Sequence, residues 1–496
     1  MKKYVIALDQ GTTSSRAIAF NVNGNPVASK NVEFKQIFPK PGWVEHDPDD
    51  IYDSQMEALR LMMKEAGIKA DEIDSIGITN QRETVMAWNS KTGIPVHNAI
   101  VWQCRRTAPI CEELRQKGYA ELIKSKTGLV PDAYFSGTKI KWLLDNIPEA
   151  ANMANNGNLM VGTVDTWLMY RMSKGRIHAT DASNASRTML YDITKGCWDK
   201  DLCGILGIPM GILPEVVDSS GVVFNFELDG ASIPVAGLAG DQQAALFGQT
   251  CYKKGESKNT YGTGCFILMN TGEKPVFSAQ GLLTTIAWRI NGKTEYALEG
   301  SVFNAGSVIQ WLRDSVGLLD DAAKSEEMAR SVKDTGGVYF VPAFTGLGTP
   351  YWDMYARGNI SGITRGTTKE HIVRAGLESI AYRSAEVLEI MAGETGIKPY
   401  RLYVDGGASA NDFLMEFQAA LIECDIIRPV VRETTALGAA FLAGLATGFW
   451  NSKKALDELV ETDRVFSHSK ADKERISRME GWRKAVARAK GTPDVG

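Results

Sequence analysis

The sequence predicts an α/β protein built from two related domains, residues 1–250 and 251–496, with a ligand cleft between them. Its 496 residues exceed what one compact core organises, so two large domains or three smaller ones are expected. Short apolar runs typical of buried strands alternate with segments of helical periodicity. A strand, a glycine-threonine turn and a second strand at residues 5–20 recur at residues 258–270, which favours a duplicated plan.

The charge balance argues against one class of partner. The chain has 55 lysines and arginines against 59 aspartates and glutamates, which gives a formal net charge of -4. No basic excess is available to follow a nucleic-acid backbone, so we expect no nucleic-acid partner.

Cysteine usage and hydropathy predict a cytoplasmic protein without a membrane span. The seven cysteines form no CxxC pair and are odd in number, which favours reduced thiols over a disulfide framework. The apolar run after Lys3 ends at Asp9 and is too short for a signal peptide. The longest apolar stretch, residues 436–450, falls short of the ~20 residues that a span needs and is expected to form a buried helix.

Residues 5–20, VIALDQGTTSSRAIAF, predict a β-hairpin whose turn holds a phosphate. Gly11 lets the backbone turn sharply, so the residues after it can offer hydroxyls and successive N–H groups to an anion. These residues are Thr12, Thr13 and Ser14. The Asp9 carboxylate can hold Mg²⁺ through water, and the Arg16 guanidinium matches phosphate oxygens. The alternative is an ordinary hairpin whose polar turn faces solvent.

Capping and turn residues predict the elements that follow. Asp47 and Pro48 suit the N-cap and first turn of a helix that ends near Gly67. Residues 73–79 predict an apolar strand that ends in the polar residues 80–83, and strand ends are where binding sites commonly lie. Further helices are predicted near residues 134–146, 163–172, 302–314, 320–332 and 410–423.

A long helix is predicted in the second half of the chain. Thr367 and Glu370 have the spacing of a capping box at its start, and the helix should run to about residue 391. A strand at residues 401–404 then leads into the glycine pair Gly406 and Gly407.

Two common nucleotide-binding fingerprints are absent from the sequence. No GxxxxGK[ST] loop occurs, because Gly292, Lys293 and Thr294 lack the upstream glycine and fall in a predicted hairpin turn. No GxGxxG occurs either. Phosphates, if bound, are therefore expected at the paired hairpin turns.

Seven motifs, in order along the chain, carry a resemblance to a known family. They are DQGTTSSR at 9–16, GITNQRE at 77–83, VWQCRR at 101–106, YFSGTKIKWLLDN at 134–146, GDQQAALFG at 240–248, NTYGTGCF at 259–266 and DGGASAND at 405–412. Together they resemble the FGGY carbohydrate kinases, and most closely the members that phosphorylate glycerol, from Tyr4 to about Trp450. The resemblance implies two domains of the actin-like, RNase H-related ATPase fold, with the active site in the interdomain cleft.

The resemblance also implies ATP-dependent phosphorylation of glycerol to sn-glycerol 3-phosphate, a step in glycerol catabolism. The residues that it assigns to the glycerol site are Arg82, Glu83, Trp102, Tyr134, Asp241, Gln242 and Phe266. These types suit a neutral triol, because its hydroxyls need a donor and an acceptor and its carbon chain needs apolar walls. Taken singly, such aromatics are more often core residues, and an Arg-Glu pair more often lies on the surface.

The resemblance assigns the chemistry to one carboxylate and the two hairpin turns. It implies that Asp241 is the general base, that Arg16 assists catalysis, and that Mg²⁺ binds near Asp9 and Asp241. The residues implied to contact ATP are Thr12, Thr13, Ser14, Arg16, Thr263, Gly306, Gln310, Gly407 and Asn411. Without the family context, an Asp in the first turn of a helix usually serves helix-dipole electrostatics.

Two other functions stay open at this point. A kinase for a larger sugar such as a pentulose has the same motifs in outline, although residues 79–83 and 101–106 match the glycerol-specific members more closely. An actin-like or chaperone-like ATPase would hydrolyse ATP without phosphorylating a small molecule, but it leaves the implied glycerol site without a role. The habit of the family implies a homodimer or homotetramer.

Overall fold

A computed structural model of the chain describes residues 2–353, 355–468 and 474–491. Strands and helices alternate through most of it, as the sequence predicts. The α-helices are α1 (Pro48–Ala66), α2 (Ala108–Gln116), α3 (Ala120–Thr127), α4 (Ser136–Asn146), α5 (Pro148–Asn155), α6 (Val164–Met172), α7 (Ala182–Ala185), α8 (Lys200–Leu206), α9 (Asp241–Gly248), α10 (Gly306–Asp314), α11 (Lys324–Ser331), α12 (Lys369–Thr395), α13 (Asp412–Ile422), α14 (Thr434–Thr447), α15 (Lys453–Leu459) and α16 (Arg475–Ala489).

The strands are of two kinds, long ones in the main sheet and short ones in small sheets around it. They are β1 (Tyr4–Gln10), β2 (Ser14–Asn21), β3 (Pro26–Glu33), β4 (Glu45–His46), β5 (Ile73–Asn80), β6 (Val85–Asn89), β7 (Ala99–Ile100), β8 (Leu159–Thr163), β9 (Ala179–Asp181), β10 (Tyr191–Asp192), β11 (Cys197–Trp198), β12 (Glu215–Val217), β13 (Ser220–Leu228), β14 (Ala231–Gly240), β15 (Ser257–Tyr261), β16 (Cys265–Gly272), β17 (Leu283–Ile290), β18 (Lys293–Val302), β19 (Tyr339–Val341), β20 (Asn359–Ser361), β21 (Arg401–Asp405), β22 (Asp425–Pro429) and β23 (Thr462–Phe466).

The first half of the chain forms strands in the order β3-β2-β1-β5-β14. β1, β2 and β3 are antiparallel neighbours, whereas β1, β5 and β14 run parallel. Ile6 and Leu8 pack in one core cluster with residues of α1, and Val5 and Ala7 pack in another with residues of α14. Because both faces are covered, the central strand reads as a continuous apolar run.

The second half repeats this plan. Its strands follow the order β18-β16-β15-β21-β22, with β18, β16 and β15 antiparallel and β15, β21 and β22 parallel. The internal repeat predicted from the sequence is therefore present in the strand topology. β13 meets β17 at Ser220 and Ile290, so the described strands of both halves join in one 13-stranded sheet.

Helices α9 and α14 cross at the junction of the two halves with their backbones in contact. A Cβ at Gly438 would lie 1.8 Å from the carbonyl oxygen of Ala244, and one at Gly248 would lie 2.1 Å from that of Thr434. α14 comes from the second half, yet it packs with first-half residues such as Val5 and Ala236. The domain division near residue 250 stays a prediction.

The long apolar stretch predicted as a buried helix is α14. Residues 436–444 along it are all buried. Within the described ranges, no helix is both long and apolar enough to cross a membrane.

Local capping follows the sequence at one helix and departs from it at another. Asp47 accepts a hydrogen bond from the Asp49 backbone, and Gly67 ends α1 with φ 66°, as predicted. The box predicted at residues 367 and 370 is wrong by one residue, because Thr368 caps α12 with His371 as its partner. α12 ends at the left-handed Gly396 rather than near residue 391, since a glycine tolerates that conformation.

The crossing of α9 and α14 predicts the effect of one added methyl group. Gly438→Ala should lower the free energy of unfolding by about 1–3 kcal/mol, because the new Cβ meets backbone that cannot rotate away. Thermal and urea unfolding of the purified chain measure this change. The matched control is Gly393→Ala in α12, where no atom lies within 4 Å of the added Cβ. Equal stability of the two variants would contradict the tight crossing.

Candidate active site

Three parallel strands bring polar residues to one edge of the first-half sheet. In the register of β1, β5 and β14, Asp9 pairs with Thr79, and Gly240 pairs with Asn80. The residues that follow β5 and β14 therefore lie beside the end of β1. Arg82 and Asp241 meet there, with 3.2 Å between Arg82 Nε and Asp241 Oδ1.

The turn between β1 and β2 has the predicted compact form. The Gly11 N–H donates to the carbonyl of Ser14 at 2.9 Å. Thr13 is exposed, and the Thr12 hydroxyl accepts a hydrogen bond of 2.9 Å from the indole N–H of Trp102. The turn between β1 and β2 is thus linked directly to Trp102, one predicted wall of the glycerol site.

The equivalent turn between β15 and β16 is docked on the start of α10. The Ala305 N–H donates to the Thr263 carbonyl at 2.8 Å, and the Gly306 N–H donates to the Gly262 carbonyl at 3.0 Å. A Cβ at Gly306 would lie 2.6 Å from that Gly262 oxygen. The structure therefore brings Thr263 and Gly306 together, and Gln310 follows one turn later in α10.

The two remaining nucleotide candidates lie after β21, next to β15. Gly406 has φ 81° and leaves no room for a Cβ, which would lie 2.4 Å from the Tyr261 carbonyl. Gly407 is exposed, with no atom within 4 Å of its Cβ position. Asn411 caps α13 through Oδ1, and its amide N–H donates to the Ser325 hydroxyl at 3.2 Å. Its amide is already engaged at both ends.

The Arg82 side chain is buried among acceptors from three segments of the chain. Its two terminal nitrogens reach Glu299 at 2.5 and 3.1 Å. They also donate to Gln243 at 3.2 Å and to the Tyr134 hydroxyl at 3.3 Å. Arg82 Nε adds an ion-pair contact to Asp241.

Glu83 is buried next to Arg82 in a backbone conformation with φ 59°. Its carboxylate accepts a hydrogen bond of 2.7 Å from Arg187 Nε, and Arg187 Nη2 lies 2.9 Å from Glu299. Arg187 and Glu299 are missing from the sequence-based site. A signal for Glu299 existed, because it is the one charged residue in the apolar run 296–302.

The opposite charges of Arg82, Arg187, Glu83 and Glu299, which together form a buried charge cluster, compensate one another. Burial alone would raise the pKa of Glu299, but Arg187 and Arg82 hold it at about 2. Burial raises the pKa of Glu83 above its usual value, although Arg187 and Arg82 oppose the rise. Two buried guanidinium groups thus face two buried carboxyl groups.

Aromatic side chains border the Arg82 and Glu83 pair. The rings of Trp102 and Tyr134 meet edge to face with centroids 5.7 Å apart. Burial raises the pKa of Tyr134, so its hydroxyl stays protonated. Phe266 is half-buried on β16 and pairs with Ser301 of β18, two residues from Glu299. The aromatic residues predicted for the glycerol site therefore come from both halves of the chain.

Asp241 is the first residue of α9, and its side chain is 33% exposed. The Gln242 amide donates to Asp241 Oδ2 at 3.3 Å. Lys258, which is fully buried, donates to Gln242 Oε1 and to the Thr260 hydroxyl. Burial lowers the pKa of Lys258 to about 8, with Asp405 and Asp241 opposing that shift. Lys258 is not among the site residues predicted from the sequence.

Asp9 and Asp241 suit a hydrated divalent cation. Burial raises the pKa of the Asp9 carboxyl to about 7, Arg16 opposes the rise, and Asp241 and Glu433 add to it. A magnesium ion prefers oxygen ligands and keeps several waters, so it fits such under-compensated carboxylates. In the described part of the chain, no cluster of three or more His, Cys, Asp or Glu side chains forms an all-protein metal site.

Arg16 forms an ion pair with a residue of the second half. Its guanidinium donates to the Glu433 carboxylate, which belongs to the residue before α14. Both side chains are partly exposed, so the pair can open. Any phosphate that Arg16 binds must compete with Glu433.

A cavity of about 920 Å³ opens between the halves. It is lined by Pro131, Asp132 and Ala133 of the first half and by Phe303 and Trp352 of the second. None of the residues predicted for the glycerol site lines it.

Comparisons with known proteins agree on one family. The profile of the N-terminal domain of the FGGY family of carbohydrate kinases matches residues 4–248, and that of the C-terminal domain matches residues 257–447. A glycerol kinase of Caldanaerobacter subterraneus subsp. tengcongensis is 59% identical over 99% of both chains. Glycerol kinase 2 of Thermotoga maritima is 58% identical over the same shares.

Solved structures give the same result for the fold. The crystal structure of Plasmodium falciparum glycerol kinase with ADP superimposes with a TM-score of 0.91 at 40% identity and 98% coverage of both chains. A ligand-bound xylulose kinase from Lactobacillus acidophilus gives a TM-score of 0.88 at 22% identity, with 98% of this chain and 97% of that chain covered. The second likeness concerns the fold alone.

The raised pKa of Asp9 predicts a pH-dependent gain of stability in one variant. Because this pKa is about 7 in the folded chain against 3.8 for the ordinary group, ionisation of Asp9 destabilises the fold as pH rises from about 4 to 7. Asp9→Asn removes that cost. In EDTA, we expect the variant to unfold at a higher temperature than the unchanged chain at pH 8, with the difference shrinking towards pH 4.

Magnesium supplies the control for this measurement. Added Mg²⁺ should raise the unfolding temperature of the unchanged chain at pH 8 and leave Asp9→Asn nearly unaffected. If Asp9→Asn unfolds at a lower temperature than the unchanged chain at pH 8 in EDTA, the prediction that ionised Asp9 destabilises the fold is wrong.

Proposed function

This chain belongs to the FGGY family of carbohydrate kinases, and we propose that it transfers the γ-phosphate of ATP to glycerol, giving sn-glycerol 3-phosphate. One observation carries the proposal. The buried pair of Arg82 and Glu83 lies against Asp241 and Tyr134, on the edge of the sheet where both phosphate turns are found.

Recognition of glycerol follows from the chemistry of that pair. Arg82 offers N–H donors and Glu83 offers carboxylate oxygens, which are the complements that the hydroxyls of an uncharged triol need. Trp102 and Phe266 provide apolar surface for the carbon chain. Since both terminal nitrogens of Arg82 already donate hydrogen bonds, glycerol enters by sharing or replacing a partner of Arg82, such as Tyr134 or Asp241.

Asp241 acts as the general base. Arg82 and Gln242 each hold its carboxylate, so an oxygen is aimed at the place where a terminal hydroxyl would lie beside Glu83. The proton of that hydroxyl moves to Asp241 while the alcohol oxygen bonds to the γ-phosphorus. The bond from the phosphorus to the bridging oxygen breaks, and ADP leaves with the electron pair.

The phosphate groups are held from both halves. Thr12, Thr13 and Ser14 offer hydroxyls and N–H groups from one turn, and Thr263 does so from the other. Arg16 leaves Glu433 for the phosphates, where its charge favours the developing negative charge. Magnesium bound near Asp9 and Asp241 would supply neutralisation of the triphosphate charge.

The nucleotide base and ribose are assigned to the second half. Gly306, Gln310, Gly407 and Asn411 surround the Thr263 turn and the end of β21, and the exposed Gly407 allows close approach of a flat ligand. Seven free cysteines, six of them buried, are consistent with a reducing cytoplasmic environment. A homodimer or homotetramer stays a prediction.

A coupled assay tests the proposed function. With ATP and Mg²⁺, we expect glycerol to give ADP and glycerol phosphate in equal amounts, and xylulose to give no turnover above the ATPase background. Turnover on xylulose but not glycerol would favour a pentulose kinase. Release of ADP without any phosphorylated product would favour an ATPase instead.

A single substitution tests the role of Asp241. Asp241→Asn should lower kcat for glycerol phosphorylation by about 100- to 10,000-fold, because the amide cannot accept the proton. Calorimetric titration should still detect binding of ATP. The matched control is Asp53→Asn, the same chemical change on an exposed position of α1. A variant with unchanged kcat would remove Asp241 from the mechanism.

A further inference from the structure

Two fully buried charged residues outside the predicted site lie against its recognition pair. Arg187 follows the short helix α7 of the first half, and Glu299 lies within β18 of the second half. Neither belongs to the seven sequence motifs. Both lie within hydrogen-bond distance of the residues assigned to glycerol, Arg82 and Glu83.

Glu299 fixes the plane of the Arg82 guanidinium. Its two carboxylate oxygens accept from the two terminal nitrogens of Arg82 at 2.5 and 3.1 Å, the two-pronged geometry that is strongest for this pair. Rotation of the Arg82 guanidinium group would therefore break both of its hydrogen bonds to Glu299. Its Nε edge therefore stays towards Asp241.

Arg187 fixes one oxygen of Glu83. Its Nε donates to Glu83 Oε1 at 2.7 Å, and the same guanidinium reaches Glu299 through Nη2 at 2.9 Å. The guanidinium carbon of Arg187 also lies 5.7 and 5.4 Å from the ring centroids of Tyr134 and Phe135. One arginine thus contacts two of the predicted glycerol-site residues, Glu83 and Tyr134, as well as Glu299.

The cluster also joins glycerol recognition to the second half. Glu299 is contributed by β18, and Ser301 of the same strand donates to it at 3.3 Å. Ser301 pairs with Phe266 of β16, the strand that begins just after the Thr263 turn. The Thr263 turn is therefore linked to Arg82 through two hydrogen-bonded strands.

We propose that Arg187 and Glu299 are positioning residues for glycerol binding, with Arg187 orienting Glu83 and Glu299 orienting Arg82. Neither side chain needs to touch the substrate, because each acts on a residue that does. This inference rests on the proposed function of the site. It adds two residues, one from each half, without which the recognition pair loses its orientation.

The charges that face Glu83 determine how the role of Arg187 can be detected. Arg82 lies next to Glu83 in the chain. Arg187, which follows α7, and Glu299 of β18 face it from two other elements. Lys139 and Tyr134 belong to the segment around α4. Arg187 is the nearest cation, at 2.7 Å. Its removal leaves a buried carboxyl that takes up a proton more readily, so Glu83 becomes a poorer acceptor as pH falls.

The experiment measures kcat and KM for both substrates in four variants: Arg187→Lys, Arg187→Met, Glu299→Gln and the double variant Arg187→Met/Glu299→Gln. We expect KM for glycerol to rise about tenfold or more in the last three, while KM for ATP changes less than about twofold. In Arg187→Met, the acid limb of kcat/KM for glycerol should move to higher pH. Arg187→Lys should restore part of both effects.

The double variant separates positioning from charge balance. It removes one buried cation and one buried anion, so the net charge of the cluster is unchanged and we expect the fold to be kept. A normal KM for glycerol in this variant would overturn the proposal, as would an unmoved acid limb in Arg187→Met. Arg374→Met/Glu378→Gln, which removes a buried pair from α12, controls for loss of an ion pair as such. Absence of glycerol turnover in the unchanged chain would instead overturn the proposed function.

Discussion

Burial of opposite charges in one small volume is the constraint on which this site depends. Arg82, Glu83, Arg187 and Glu299 are almost completely removed from water, and isolated charges there would be strongly unfavourable. Each is tolerated because it faces a partner of opposite sign within 3.1 Å. The same contacts leave little rotational freedom, so the charges are stabilised and oriented together.

The duplicated strand order places one glycine turn of each half at the sheet edge that holds this cluster. β1 and β15 occupy equivalent places in the two halves, and each is followed by a glycine turn that opens at the sheet edge. α9 and α14 hold the halves in register because Gly248 and Gly438 let their backbones touch. Asp241 opens α9, and Glu433, the partner of Arg16, precedes α14, so each of the two crossing helices begins at a carboxylate of the candidate site.

Local structure was predictable where the chemistry is local. A glycine turn with three hydroxyls, and the N-cap at Asp47, were read from neighbouring residues and are present in the structure. The cap of α12 was misplaced by one residue because two adjacent threonines can both serve, and His371 selects Thr368. The burial of Lys258 was not predictable because a lysine in a polar strand is normally exposed, whereas folding buries it against Gln242.

By itself, the sequence determined the strand and helix pattern, the two glycine-threonine turns and the family, since each depends on residues that are close along the chain. Only the tertiary structure decided which charges became partners. Arg187 lies 104 positions from Glu83, and Glu299 lies 217 positions from Arg82. No periodicity links such positions, because a buried charge is matched to whatever opposite charge the fold places beside it, and distance in space rather than in sequence sets that match.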